Sequence, residues 1–234
     1  GRREMVWTCE HLANFKEYFY ICEKILFKLA LNECEKGITN NSQGVWSDYF
    51  NVNANTEVSF YDRFNILLKR AKEYKSNQDL NLFKKAFQEV VSDSSIRMLP
   101  PKIIGGRITP KPWKVQNLDE IIYVKKFLLE ELCKNYDNFD DKIKEVLLNV
   151  FINSLNIYIN YPLKEFYKEY LNKILNTQEL KNSMVLEIEK KLKMFSYRQD
   201  NKIKNSMIAW LNEWKYELMD NTLKGRIRYY ITRD

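Results

Sequence analysis

Phe15-Lys16-Glu17-Tyr18-Phe19-Tyr20-Ile21-Cys22-Glu23-Lys24-Ile25-Leu26-Phe27-Lys28-Leu29-Ala30-Leu31 carries apolar side chains at 15, 18, 19, 22, 25, 26, 29 and 30. That spacing traces one broad stripe on a helix, with Lys16, Glu17, Glu23, Lys24 and Lys28 elsewhere around it. Upstream, Val6, Cys9, Leu12 and Ala13 keep helical spacing until Asn14 interrupts it. Two helices therefore open the chain.

The same period recurs downstream. Phe60, Phe64, Leu67, Leu68 and Ala71 predict a helix over 59–74, and Leu82, Phe83, Ala86, Phe87 and Val90 predict another over 79–91, with Asn77 and Asp79 as caps between them. Gly37 to Gly44 reads as a loop, Trp46, Tyr49 and Phe50 as one short apolar face, and Asn51 to Thr56 as a second loop. Asn117 opens a helix to about Lys134. Asp140 or Asp141 opens the next, whose core stripe runs Ile143, Val146, Leu147, Val150, Phe151, Leu155 and Tyr158. Pro162 precedes a helix over 163–175, followed by helices over 178–195, 201–219 and 223–231.

Residues 100–112, Pro-Pro-Lys-Ile-Ile-Gly-Gly-Arg-Ile-Thr-Pro-Lys-Pro, hold four of the five prolines and two of the six glycines. Proline lacks the backbone donor and clashes with the preceding turn, so no helix runs through. The organisation expected is a helical subdomain over 1–99, a Pro/Gly-rich joint over 100–116 and a second helical subdomain over 117–234. The fold class expected is all-α, an irregular, solenoid-like stack of antiparallel helix pairs. No tetratricopeptide or ankyrin pattern is present to name a regular array.

The 234 residues are 45% apolar, enough for a substantial core. No stretch approaches the roughly 18 to 20 uninterrupted apolar residues of a membrane span, and no signal peptide is evident. A cytoplasmic chain with no membrane partner is expected. The opening Gly1-Arg2-Arg3-Glu4, already helical in pattern, suggests a segment of a larger intracellular protein that also contacts the rest of that parent chain. Net charge is +7, but 38 basic residues stand against 31 acidic ones, mostly interleaved. That describes a mixed helical surface more than a nucleic-acid stripe.

Catalytic and metal signatures are sparse. Cys9, Cys22, Cys34 and Cys133 form no C-x-x-C, and His11 is the only histidine. Positions 9 and 11 of a helix lie about 200° apart and do not converge on one ion. The cysteines read as four buried or half-buried thiols. Glu10 beside His11, Glu130-Glu131, Asp140-Asp141 and the Glu187/Glu189 pair diverge around their helices in the same way. Phosphate-loop, dinucleotide, serine-hydrolase and zinc-protease motifs are absent. No cofactor, metal or catalytic residue is assigned, and the chain is not expected to be an enzyme by itself.

Two basic, aromatic clusters are the candidate partner-binding residues. Arg107, Lys111, Trp113 and Lys114 combine cations with an indole in a loop, which suits phosphate contact and base stacking, although Trp113 equally fits as a plug in a groove. Arg226, Tyr230 and Arg233 lie in the run from Lys224 to Arg233. The preferred reading there is that Ile227, Tyr230 and Ile231 pack on a further element of the parent chain.

Val6-Trp7-Thr8-Cys9-Glu10-His11-Leu12-Ala13, then Tyr18-Phe19, Ile25-Leu26, Leu29-Ala30, Asn40-Asn41-Ser42 and Trp46-Ser47-Asp48-Tyr49-Phe50, resembles a helical segment of large bacterial P-loop NTPases of the STAND type. Asn55-Thr56, Arg63 and Pro112-Trp113 fall where that pattern places them. The resemblance covers about residues 1–135, and Asn14 stands where the family usually has a second tryptophan. It implies a helical sensor region of an antiviral defence protein, with the NTPase outside this chain. A protein partner, such as a phage component, is then the expected ligand. A nucleic-acid-binding helical module and a structural spacer or oligomerisation segment are the alternatives.

Overall fold

In the computed structural model, residues 1–34, 38, 40–75, 79–92, 101–159, 162–196 and 202–219 are described. The chain is all-α. Among the described residues the helices are α1 (Arg2–Leu12), α2 (Lys16–Leu31), α3 (Ser42–Asp48), α4 (Phe60–Lys72), α5 (Leu80–Val91), α6 (Leu118–Asn135), α7 (Asp141–Asn153), α8 (Leu155–Ile159), α9 (Lys164–Ile174), α10 (Gln178–Ser196) and α11 (Lys202–Leu218). One antiparallel pair of two-residue strands, β1 (Ile103–Ile104) and β2 (Arg107–Ile108), lies between α5 and α6.

Short polar side chains start the helices by satisfying amides that lack an intrahelical partner. Asn41 accepts from the Gly44 amide at 2.9 Å, Ser59 from Asp62 at 3.1 Å, Asp79 from Asn81 at 2.8 Å and Asn117 from Glu120 at 2.9 Å. Asn41 is thus a helix cap, and α3 begins inside the stretch that composition marks as a loop. The predicted helix over 141–158 is divided at Ser154, whose amide bonds the Phe151 carbonyl at 2.9 Å, so α7 ends and α8 begins there. Asn77, the predicted helix over 223–231 and the candidates Arg226, Tyr230 and Arg233 lie outside the described residues.

Two compact units are present, Gly1–Val124 with Lys134–Val150, and Lys125–Cys133 with Phe151–Asp234. Their boundary runs through α6 and α7, and the described part of the Pro/Gly-rich stretch, 101–116, belongs to the first unit. In that unit α2 packs on α1 and α3, and α5 packs on α3 and α4. In the second, α10 packs on α8 and α11, and α8 packs on α9.

The first core contains Phe19, Leu26, Trp46, Phe50, Phe60, Phe64, Phe83 and Phe87, all essentially inaccessible. Trp46 meets the Phe50 ring edge-on at 4.7 Å and Phe27 at 5.0 Å. Buried charge sits among these rings. Arg63, fully buried on α4, donates through Nε to Val58 at 3.0 Å, through Nη1 to Tyr49 and Asn51 at 2.5 Å each, and through Nη2 to Val52 at 3.3 Å. Those four carbonyls belong to the segment between α3 and α4, which Arg63 thereby fixes in place. Buried Glu23 accepts from Trp46 Nε1 at 3.0 Å and from Arg70 at 3.1 and 2.8 Å, while Arg70 lies 4.5 Å from the Phe27 ring centroid.

Glu23 therefore lies on the buried face of α2, and Tyr18, placed on the core stripe by periodicity, is 38% exposed. The long-range partners Trp46 and Arg70 make burial of the carboxylate favourable and set which face turns inward.

The second unit is built on stacked rings. Tyr158 and Tyr167 stack at 4.6 Å, Tyr167 donates to the Phe151 carbonyl at 2.5 Å, and Trp214 donates to Asn172 Oδ1 at 3.1 Å. Lys168–Glu217 at 2.7 Å joins α9 to α11.

Candidate functional site

The stretch read as a breaker is an ordered hairpin. Ile103 pairs with Ile108 and Ile104 with Arg107, joined by Gly105 and Gly106 at φ 55° and 78°. Successive positive φ values belong to the tight two-residue turns whose twist matches paired strands, and glycine adopts them without a Cβ penalty. The Thr109 amide extends the pairing to the Lys102 carbonyl at 2.9 Å, and Thr109 Oγ1 donates to the Pro101 carbonyl.

Strand alternation places Ile104 and Arg107 on one face and Ile103 and Ile108 on the other. Arg107 seats the hairpin on the start of α2. Its guanidinium pairs with Glu17, lies 4.7 Å from the Phe15 ring centroid and reaches Tyr18 Oη at 3.5 Å. The hydrogen bond from Arg107 holds the Glu17 carboxyl below its ordinary range, and Glu17 raises the pKa of Arg107 in return. The opposite face is left to solvent, with Ile103 63% and Ile108 82% exposed.

Beside the seat, α2 turns Tyr18 and Ile21 outward, Ile21 being 59% exposed. Lys24, Lys102 and Lys111 are exposed as well, whereas the Glu17 carboxylate is engaged by Arg107. Tyr18 and Ile21 on α2 and Ile103 and Ile108 on the hairpin seated against it are thus four exposed apolar side chains.

The four candidate residues of this loop have different surroundings. Arg107 is engaged internally as described. Trp113 is half-buried, its amide bonding the Thr56 carbonyl at 2.8 Å and its ring meeting Tyr61 edge-on at 5.9 Å. Tyr61 in turn approaches Tyr123 at 6.3 Å, and burial, then Tyr123 and Glu120, raise its phenol pKa. Lys111 and Lys114 are exposed.

A polar cleft of about 420 Å³ lies between α3 and α5, with Asn41, Ser47, Asp48, Lys85, Gln88 and Glu89 in its walls. Among the described residues no cluster of three or more His, Cys, Asp or Glu side chains is placed to hold a metal ion, and no helix is long and apolar enough to cross a membrane. Cys9 and Cys22 are buried and Cys133 is half-buried, but Cys34, against expectation, is exposed just beyond α2.

Residue types alone did not single out Ile103 and Ile108, which look like ordinary apolar residues. The sequence signal was Gly105-Gly106 set between Ile103-Ile104 and Arg107-Ile108, a hairpin pattern. No family model, curated protein or solved structure matches the chain.

Proposed function

We propose that this chain is a macromolecule-binding helical module that recognises a protein partner through the hairpin and the outward face of α2. The observation that carries this reading is the pair of exposed isoleucines, Ile103 and Ile108, held on an ordered turn. Loops fixed on a rigid helical scaffold are common contact elements, and clustered exposed apolar side chains mark interaction surfaces. The exposed Lys24, Lys102 and Lys111 of the same two elements and the segment after them favour a partner that carries acidic residues.

The resemblance to helical regions of STAND-type NTPases supports the same reading. It extends the proposal to a sensor segment of a larger intracellular bacterial protein used in antiviral defence, with a phage protein as ligand. Recognition, not turnover, is the work assigned to the chain.

Exposed Lys111 and Lys114 beside the Trp113–Tyr61–Tyr123 rings favour a second reading, single-stranded nucleic acid bound by stacking and phosphate contact. Exposed Asp62 and Asp119 near the same rings oppose it.

Two comparisons separate the readings. Retention of one defined protein from nuclease-treated, phage-infected lysate by the chain, lost in an Ile103→Asp/Ile108→Asp variant, is expected for protein recognition. Fluorescence polarisation with labelled DNA and RNA at about 50 and 200 mM salt is expected to give no binding. Tight binding that collapses at the higher salt and requires Lys111 and Lys114 would favour nucleic acid instead.

A further inference from the structure

We propose that the polar cleft between α3 and α5 is a binding site for a free amino acid, its ammonium group held by Asp48, Glu89 and the Ser47 hydroxyl and its carboxylate by Lys85. The cleft has a volume of about 420 Å³, within the roughly 300–1,000 Å³ of small-molecule sites. Among the described residues neither the hairpin nor α2 contributes to its wall, so the proposal does not rest on the protein-binding reading.

Ser47 is the decisive residue. It is 2% exposed and lines the cleft, and among the described residues its Oγ has no hydrogen-bond partner. A serine inside a helix ordinarily returns its hydroxyl to the carbonyl one turn back, here that of Gln43, because a buried polar atom left unpaired costs stability. A ligand in the cleft that completes the bonding of this hydroxyl accounts for its being kept there.

The facing wall carries charge on one side of a helix. Lys85, Gln88 and Glu89 are spaced i, i+3 and i+4 on α5 and share a face, while Leu82, Phe83, Ala86 and Phe87 turn into the core. The Glu89 carboxylate is held in place from behind. Asn51, 1% exposed, donates through Nδ2 to Glu89 Oε2 at 3.0 Å, and the Asn51 carbonyl is itself bound by Arg63 at 2.5 Å. Lys85 Nζ donates to Gln43 Oε1 at 3.3 Å. The buried frame around Arg63 therefore extends into the cleft and positions one of its acids.

In the described wall Asp48 and Glu89 set two carboxylates against the single ammonium of Lys85, which favours a ligand that brings an ammonium group of its own. The N–H donors of that group match two carboxylates and a hydroxyl, and the Lys85 ammonium and Gln88 amide supply donors for a carboxylate. A divalent cation fits less well, since among the described residues no third His, Cys, Asp or Glu side chain joins the two acids.

The test is isothermal titration of the full chain with each of the standard free L-amino acids. At least one should bind with a Kd below about 1 mM, and its N-acetyl derivative, which lacks the ammonium group, should bind at least about tenfold more weakly. Glu89→Gln preserves shape and an oxygen for Asn51, and should weaken binding by about tenfold or more. Lys85→Met should weaken the amino acid but not the amine that lacks its carboxylate. Ser47→Ala should weaken binding while raising the thermal midpoint of the unliganded chain by roughly 2–4 °C, because it removes an unpaired buried hydroxyl. A serine with a purely structural role would lower that midpoint and leave binding intact, which would overturn the proposal. So would binding of no amino acid, binding indifferent to Glu89→Gln, or a response to Mg²⁺ or Ca²⁺ in place of the amino acids.

Discussion

The two units hold their interiors together by different means. In the first, charged groups are buried among aromatic rings and fully engaged, Arg63 by four carbonyls and Glu23 by Trp46 and Arg70. In the second, Tyr158, Tyr167, Trp210 and Trp214 supply most of the aromatic packing, the buried charges are those of the lysines Lys125 and Lys191, and ion pairs such as Lys168–Glu217 lie nearer the surface. Buried charge is unforgiving: each group is tolerated only while its partners remain, so it fixes one arrangement of the chain. The difference teaches how each interior is specified. In the unit that presents the hairpin, a frame of guanidinium, carboxylate and backbone carbonyls also immobilises the segment over 49–58.

Truncation of that frame should have the largest effect. Arg63→Ala leaves four buried carbonyls without their donor and is expected to cost about 3–5 kcal/mol, read from denaturant unfolding of the first unit. Arg63→Lys should lose less. If Arg63→Ala cost no more than a surface substitution, the contrast between the units would fail.

Glu23→Ala strands the Arg70 guanidinium and the Trp46 indole N–H, and a loss of about 2–4 kcal/mol is expected by the same measurement. Tyr167→Phe in the second unit keeps the stacked ring and removes only the bond to the Phe151 carbonyl. A cost of about 1–2 kcal/mol would show that packing, not the hydroxyl, carries most of that core. Lys168→Ala should change stability by no more than about 0.5 kcal/mol, because half of its ion pair is in water. A loss as large as that of Glu23→Ala would show that this ion pair weighs as much in the second unit as the buried carboxylate does in the first.

Much of the fold was legible in the sequence, because helical periodicity and short polar caps are local signals. Asp79, Ser59 and Asn117 begin helices close to where composition places them. What escaped depends on contacts far along the chain. Periodicity put Tyr18 inward and Glu23 outward, but the partners that bury Glu23 are 23 and 47 residues away. The break at Ser154 carries neither glycine nor proline, so the stripe from Ile143 to Tyr158 looks continuous. Residues 103–108 read as a breaker since proline and glycine dominate the surrounding run, and two-residue strands leave little alternation to detect. Arg107 attracted attention as a cation in a loop, yet its role is to seat that loop on Glu17 and Phe15.

The most direct measurement is site-specific photocrosslinking from position 108 in phage-infected cells, with the same probe at Asp141, an exposed residue of α7, as the control. A single protein adduct from position 108, absent from position 141 and lost when Ile103→Asp is added, is the expected result. Adducts to nucleic acid, or the same adducts from both positions, would contradict the assignment of the hairpin as a protein-binding element.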